Sequence, residues 1–483
     1  MPSPRLVYTL ADSAIADGLR AIRGELHVTP EFSAEVEAAA IAAAGRHFAV
    51  GEERVEARSV PFVTIDPAGS TDLDQAYFAE STPRGYRVLY AIADVAAFVD
   101  LDSALATEAL ARGVTLYAPD GRAPLYPTVL SEGAASLLPG QDRPALLWTI
   151  ELDQHGGLGE ARVERAVVKS REKLSYAEAQ ARIDNGTADP SLRLLRDIGR
   201  ARIAQEHRRG AVSLTLPEQQ LERVDDGYVL GFRAMMPVEQ WNAQISLLTG
   251  AAAARLMQVG GIGLVRTLPP PTPDTVATLR RAAHVLRIEW PASMGYAERI
   301  RTLDPSVRHH AALMHQAARL FRGAGYLAFD GHLPEHAEHS AIASLYAHVT
   351  APLRRVGDRY ANEVVVALCA GRPVPEDVRA ALHELPGVLG RAQQRQNALD
   401  RASLDLGETL ALRDSVGKVF HAAVVNLDTR RAVIEIAEPA IVSEIDPHGV
   451  KLGAELSVRL VGVDERARVL HFERVREPEG ARQ

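Results

Sequence analysis

The chain has 483 residues, 47% of them hydrophobic and 24% charged, with a net charge of −8 and a single cysteine. This is the balance of a folded soluble protein with roughly two to four domains, and it excludes a disulfide-stapled scaffold. It also excludes a surface coated in positive charge, so a polyanion would have to be met by Arg residues gathered in one channel.

The segment before residue 59 reads as helical. Asp12 to Ile22 is amphipathic, and Thr29-Pro30-Glu31-Phe32-Ser33 offers a helix start before an Ala-rich run that ends at Ala44. Residues 1–58 are therefore expected to form a small helical unit, either a helix-turn-helix or winged helix or a cap packed on the next domain. Met1-Pro2-Ser3-Pro4-Arg5 lacks the charged-then-apolar pattern of a signal peptide, and a cytoplasmic location is expected.

Residues 59–410 mix strands and helices without a repeating βαβ rhythm, which predicts one large α+β domain with a central sheet. Val60 to Ile65 is β-branched and aromatic and predicts a strand, with a second from about Ala76 to Ala79. Between them lies Asp66-Pro67-Ala68-Gly69-Ser70-Thr71-Asp72-Leu73-Asp74-Gln75, a loop broken by Pro and Gly. Three carboxylates this close repel one another unless a hard cation shares their oxygens. A solvated turn is the competing reading, because Asp is common in turns for local hydrogen-bonding reasons. The closing Glu of an EF-hand is missing.

Further strands are predicted over Tyr86–Ile92 and Ala145–Asp153. Helices are predicted over Pro237–Met257, Pro273–Arg287 and Tyr360–Cys369. The longest nearly apolar run, Ile245 to Met257, contains Thr249, Gly250 and Arg255; it is too short for a bilayer and reads as a buried helix. Over residues 411–477 the pattern changes to about five short strands, including Val416–Val425, Arg431–Ala437, Leu456–Val463 and Val469–Val475. These fit a small β-barrel of the OB-fold kind, followed by a short polar tail over 478–483.

Taken in order, several segments resemble the ribonuclease II family of 3′→5′ exoribonucleases. Thr64-Ile65-Asp66-Pro67-Ala68 with Thr71-Asp72-Leu73-Asp74 is similar to its aspartate loop, and Tyr90-Ala91-Ile92-Ala93-Asp94-Val95 to the strand that follows. Leu116-Tyr117-Ala118-Pro119-Asp120 with Pro124-Leu125-Tyr126-Pro127 resembles the substrate-contacting turn. Ser136-Leu137-Leu138-Pro139-Gly140, Arg143-Pro144-Ala145-Leu146, Ser170 to Tyr176, and Arg209-Gly210-Ala211 continue the order. His348-Val349-Thr350-Ala351-Pro352-Leu353-Arg354-Arg355-Val356-Gly357-Asp358-Arg359-Tyr360 resembles the Thr-Ser-Pro-Ile-Arg segment.

The resemblance implies hydrolysis of single-stranded RNA by Mg²⁺, with Mn²⁺ as an alternative, in a monomer that does not associate with membranes. Two metals would make hydroxide and stabilise the leaving oxygen. Asp66 and Asp74 are expected as direct ligands, Asp72 as a direct or water-mediated one, and Asp74 also to orient the attacking water. Arg354 takes the catalytic arginine position and Arg355 shares the non-bridging phosphate oxygens, with Arg359 in reserve or on the RNA path. Tyr117 aligns with the aromatic that stacks on the terminal base, and Asp400 with the acid that meets the last ribose. Trp241 is expected along the RNA path, and Phe420 and His421, with His471 and Phe472, on the barrel.

Three departures from the family pattern stand out. Gln75 replaces a fourth aspartate and offers the metal only a neutral oxygen. Too few residues precede the loop for two cold-shock-type barrels, leaving the helical unit to guide RNA. The barrel segment Ala432–Ile436 has no base-stacking aromatic. Two alternatives follow: a family member that binds RNA without turnover, motivated by Gln75, and a small-molecule phosphohydrolase.

Overall fold

The computed structural model describes residues 8–475 apart from 11, 52, 215–217, 225, 226, 234 and 306; the Met1–Arg5 segment and the 478–483 tail lie outside the described residues. Five strands close into a barrel: β1 (Val55–Asp66), β2 (Gln75–Thr82), β3 (Gly85–Ala93), β4 (Asp142–Asp153) and β5 (Leu158–Ser175). Neighbours are antiparallel in chain order, and β5 returns to lie parallel to β1, pairing Asp66 with Ser175. Closure leaves no free sheet edge. It also fixes where β1 ends, and Asp66 sits at that end.

The helical character expected of the N-terminal region is present as α1 (Asp12–Glu25) and α2 (Ala34–Ala44). They serve different cores. Ile15, Leu19 and Ile22 recur at helical spacing and bury α1 in a core shared with the C-terminal domain, whereas Val36, Ala40 and Ala43 bury α2 in the barrel's core. Of the two readings the sequence left open, the pair therefore fits a cap packed on its neighbours and not a self-contained helix-turn-helix.

Helix α3 (Pro237–Gly260) buries most of its residues between Val238 and Met257, as its apolar run requires, while its C-terminal end is exposed. Gly250 is what lets the segment before residue 350 approach it. A Cβ there would lie 2.1 Å from the Tyr346 ring and 2.5 Å from the Ala347 carbonyl oxygen. Gly250→Ala is expected to cost about 1–3 kcal/mol of stability, read as a lower denaturant midpoint, because neither neighbour is a flexible side-chain tip. Helix α4 (Val356–Cys369) packs on α3, and α5 (Leu385–Leu412) packs on α1 and on the short strand Leu116–Ala118.

The C-terminal strands β6 (Val419–Leu427), β7 (Ala432–Ile436), β8 (Ile441–Ile445), β9 (Glu455–Asp464) and β10 (Val469–Arg474) form one antiparallel sheet ordered β8-β7-β6-β9-β10. Its edge strands β8 and β10 come together, so the sheet is nearly closed, as expected of an OB-like domain. Leu399, Leu406 and Leu412 of α5 share its core with α1. Among the described residues no helix is long and apolar enough to cross a membrane.

Candidate active site

Asp66 is the last residue of β1 and Gln75 the first of β2, so the aspartate loop spans the mouth between adjacent barrel strands. The loop is stitched in place by polar groups. Lys173 of β5 donates its Nζ to the carbonyl oxygens of Ala68 and Ser70. The Ser136 hydroxyl accepts from the Leu73 amide at 2.9 Å and donates to the Thr71 carbonyl at 2.7 Å.

Asp74 is 1% exposed, and both of its oxygens are engaged. Oδ1 accepts from the Leu353 amide at 2.7 Å, and Oδ2 accepts from Arg354 Nε at 2.6 Å. Burial pushes its carboxyl up, and the Arg354 charge with the Leu353 amide works against that rise. Burial likewise opposes the Arg354 charge, but Asp74 outweighs it and the guanidinium is shifted up. The turn that presents Arg354 is itself braced. Asp358 accepts from the Ala351 amide at 2.8 Å, and the Thr115 amide donates to the Arg354 carbonyl at 2.9 Å.

Asp72, 8% exposed, has other partners. Tyr117 donates its hydroxyl to Oδ2 at 3.0 Å, and Arg122 donates to Oδ1 at 2.7 Å. Tyr117 and Arg122 are directly opposed on the short hairpin Leu116–Ala118 and Gly121–Ala123, which puts both side chains on one face. Gln396 of α5 clasps the same hairpin, accepting from the Tyr117 amide at 2.8 Å and donating to its carbonyl at 3.0 Å. It also donates to Asp400 at 2.6 Å, which links Asp400 to the Tyr117 strand through Gln396. Tyr117 as a residue stays 40% exposed.

If the ring stacks on a base, as the resemblance implies, Tyr117→Ala is expected to weaken single-stranded RNA binding by ~1–3 kcal/mol, whereas Tyr117→Phe, which keeps the ring, retains it. Fluorescence anisotropy with a labelled oligonucleotide measures both.

Five expectations are corrected here. The Gln75 amide is spent: Nε2 donates to the Thr350 carbonyl, and Oε1 accepts from the Tyr90 hydroxyl at 2.9 Å, so it ties β2 to the Arg354 turn rather than offering a ligand. Arg355 is bound at both ends of its fork by Asp358, at 2.9 and 2.8 Å, and holds its own turn. Arg359 is buried and donates to the Val99 carbonyl. Trp241, 6% exposed, is a core residue against Gly199, not a lining of an RNA path. Phe420 packs edge-on to Phe472 with ring centres 6.0 Å apart, inside the C-terminal domain's core, while His421 beside it is exposed.

Carboxylate oxygens are suitable donors for Mg²⁺ or Mn²⁺. Yet among the described residues no three His, Cys, Asp or Glu side chains converge as a ligand set. Asp72 and Asp74 face arginines instead. As arranged, the residues make an ion-pair network and not an ion cage. Asp66 has no such partner; burial pushes its carboxyl up to about 6, against the nearby Arg354 charge.

Arg122 and Gln396 were not singled out from sequence. Arg122 could have been found, because a hairpin with Tyr117 on one strand places its cross-strand neighbour on the same face. Nothing in the local pattern marks Gln396.

The chain matches the RNB domain over residues 54–371 and the RNase II-type exonuclease C-terminal S1 domain over residues 418–475. It is 26% identical to ribonuclease R of Thermotoga maritima, over 80% of this chain and 57% of that protein. Against the exosome complex exonuclease dis3 of Schizosaccharomyces pombe it is 27% identical, over 65% of this chain and 34% of the other. It thus spans between a third and somewhat over half of these relatives. Mycoplasma genitalium RNase R, solved with ribose-methylated single-stranded RNA, shares the fold with a TM-score of 0.85 at 18% identity, over 96% of this chain and 78% of that one. Yeast Ssd1, described as a pseudonuclease, shares it with a TM-score of 0.68 at 16% identity, over 86% and 54%.

Proposed function

The chain belongs to the RNB family, and from that premise we propose that it is a 3′→5′ exoribonuclease, degrading single-stranded RNA processively to nucleoside 5′-monophosphates. The observation that carries this reading is the buried Asp74–Arg354 pair, set two residues from the carboxylate that holds Tyr117. Arg354 is partly exposed, so its remaining donors can meet the non-bridging oxygens of a phosphate. Asp74 can accept a proton from, and so orient, a water in line with the 3′-oxygen. The ring of Tyr117 would stack on the terminal base, and Asp400 would accept from a ribose 2′-hydroxyl.

Nucleases of this family depend on metal ions, and Mg²⁺, with Mn²⁺ as alternative, is the ion proposed for this chain. The test is a 5′-labelled oligoribonucleotide incubated with either ion and with a chelator. Stepwise shortening from the 3′ end, lost with the chelator, is expected. An intact oligonucleotide under both ions would sink the reading.

Asp66 and Asp74 give the ion-free site an acid limit. Burial raises their carboxyls to about 6 and about 7, so both lose their charge as pH falls through that range. The rate of shortening is expected to fall as pH drops below about 7, as read from a pH–rate profile, with a bound divalent ion moving the fall to lower pH. The Asp66 shift favours the folded state at pH below about 4, and that contribution fades as pH rises through about 6.

A second reading, an RNA-binding protein without turnover, is favoured by the spent Gln75 amide. Binding without shortening, with shortening restored by Gln75→Asp, would establish it.

A further inference from the structure

The Gln75 amide is oriented by what stands at either end of it. Its Nε2 donates to the Thr350 carbonyl, and its Oε1 accepts from the Tyr90 hydroxyl at 2.9 Å. Tyr90 has a single proton and spends it there, so the Ser246 hydroxyl, 3.1 Å away, is the donor to the Tyr90 oxygen. The order Ser246, Tyr90, Gln75, Thr350 therefore runs in one direction, from α3 through β3 and β2 to the segment that carries Arg354. Tyr90 and Thr350 are both buried, which leaves their polar atoms dependent on these partners.

Adjacent residues thus grip one turn at two points: Gln75 at Thr350, and Asp74 at the Leu353 amide and Arg354 Nε. From the other side α4 holds the same segment. Asn362 donates to the Val349 carbonyl at 2.9 Å, and Asp358 accepts from the Ala351 amide at 2.8 Å. An amide suits position 75 and a carboxylate does not. A carboxylate has no proton to give the Thr350 carbonyl, so two oxygens would face each other, and its charge would compete with Asp74 for the Arg354 guanidinium.

We propose that Gln75 is a positioning residue, oriented by Tyr90 and Ser246, that sets Arg354 against the phosphate by holding Thr350. Gln75 is then a working group and not a lost ligand. The proposal rests on the exoribonuclease reading.

The experiment is single-turnover shortening of a 5′-labelled oligoribonucleotide with Mg²⁺, with RNA affinity and urea denaturation measured on the same preparations. Gln75→Met, which keeps the length and loses both polar ends, is expected to lower the rate about tenfold or more while affinity stays within about twofold. Gln75→Asp should lower the rate at least as far. Tyr90→Phe frees only Oε1 and should cost about threefold. Made in Arg354→Ala, Gln75→Met should change the rate by less than about twofold, because the guanidinium it positions is gone. A general weakening of the fold would instead cost the same factor in both backgrounds. Parent-like shortening by Gln75→Met, the same loss with and without Arg354, or a gain from Gln75→Asp would overturn the proposal. If urea shows that Gln75→Met is unfolded, Tyr90→Phe carries the same comparison, and no Arg354-dependent fall there is equally fatal. An inert parent refutes the exoribonuclease reading alone. The stability losses of Gln75→Met and Arg354→Ala should still overlap in the double variant, and strictly additive losses would break the link between Gln75 and the Arg354 turn.

Discussion

Asp74→Asn is expected to lower the rate of RNA shortening by about a thousandfold or more while leaving RNA affinity within about twofold. The substitution is isosteric, so the loop between β1 and β2 should keep its shape. Its chemistry changes completely. An amide has one acceptor oxygen, whereas Asp74 accepts from two donors, the Leu353 amide and Arg354 Nε. One donor would then face an NH₂ group and be left unmet. The neutral side chain can neither hold the guanidinium in place nor take a proton from water. Tyr117 and Asp400, the proposed contacts for the RNA end, are untouched, which is why affinity should survive. Single-turnover cleavage and filter binding on the same preparation measure the two quantities. A fully active variant would remove Asp74 from the reaction.

Arg354→Ala is expected to cost both rate and stability. Loss of its donors to the phosphate should lower the rate by about 10²–10³-fold. It also leaves Asp74 buried without its counter-charge, and removing one partner of a buried pair costs roughly 3–5 kcal/mol. Because the Arg354 side chain is itself partly exposed, the lower end, about 3 kcal/mol, is expected. The sign of the pH dependence follows. Without Arg354 the Asp74 carboxyl is raised further, so the variant's deficit should be largest above neutral pH and should shrink in acid, where the carboxyl is neutral. Urea denaturation at pH 8 and pH 5 reads this directly. An equal deficit at both pH values would show that the loss comes from packing and not from the buried charge.

The part of the site that was legible in the sequence is the part written in backbone chemistry. β-branched residues before Asp66 and the break at Pro67 and Gly69 placed three carboxylates on a strand-exit loop, and β1 and β2 bracket it as expected. The motif order brought Arg354 into the same argument. What sequence could not supply was partners. Arg354, Arg355 and Arg359 look alike along the chain, yet one meets Asp74, one is closed off by Asp358 three residues on, and one is buried against the Val99 carbonyl. Gln75 looked like a weakened ligand because its bond to Tyr90 crosses from β2 to β3. The 18-residue strand β5 was not predicted, because charged residues interrupt its apolar positions; only the Ser170 to Tyr176 motif touched its end. The amphipathic face of α1 was readable, but not the core it would join.

The bond between Asp74 and Arg354 spans 280 positions of the chain. During synthesis the acidic loop emerges long before its guanidinium, and β5, which closes the barrel, must also be made first. Nascent fragments ending short of residue 354 therefore carry the Asp74 carboxylate without its partner. Long-range closure of this kind is slow relative to local helix formation. The pairing of Asp74 with Arg354 is thus deferred until about three quarters of the chain has been made.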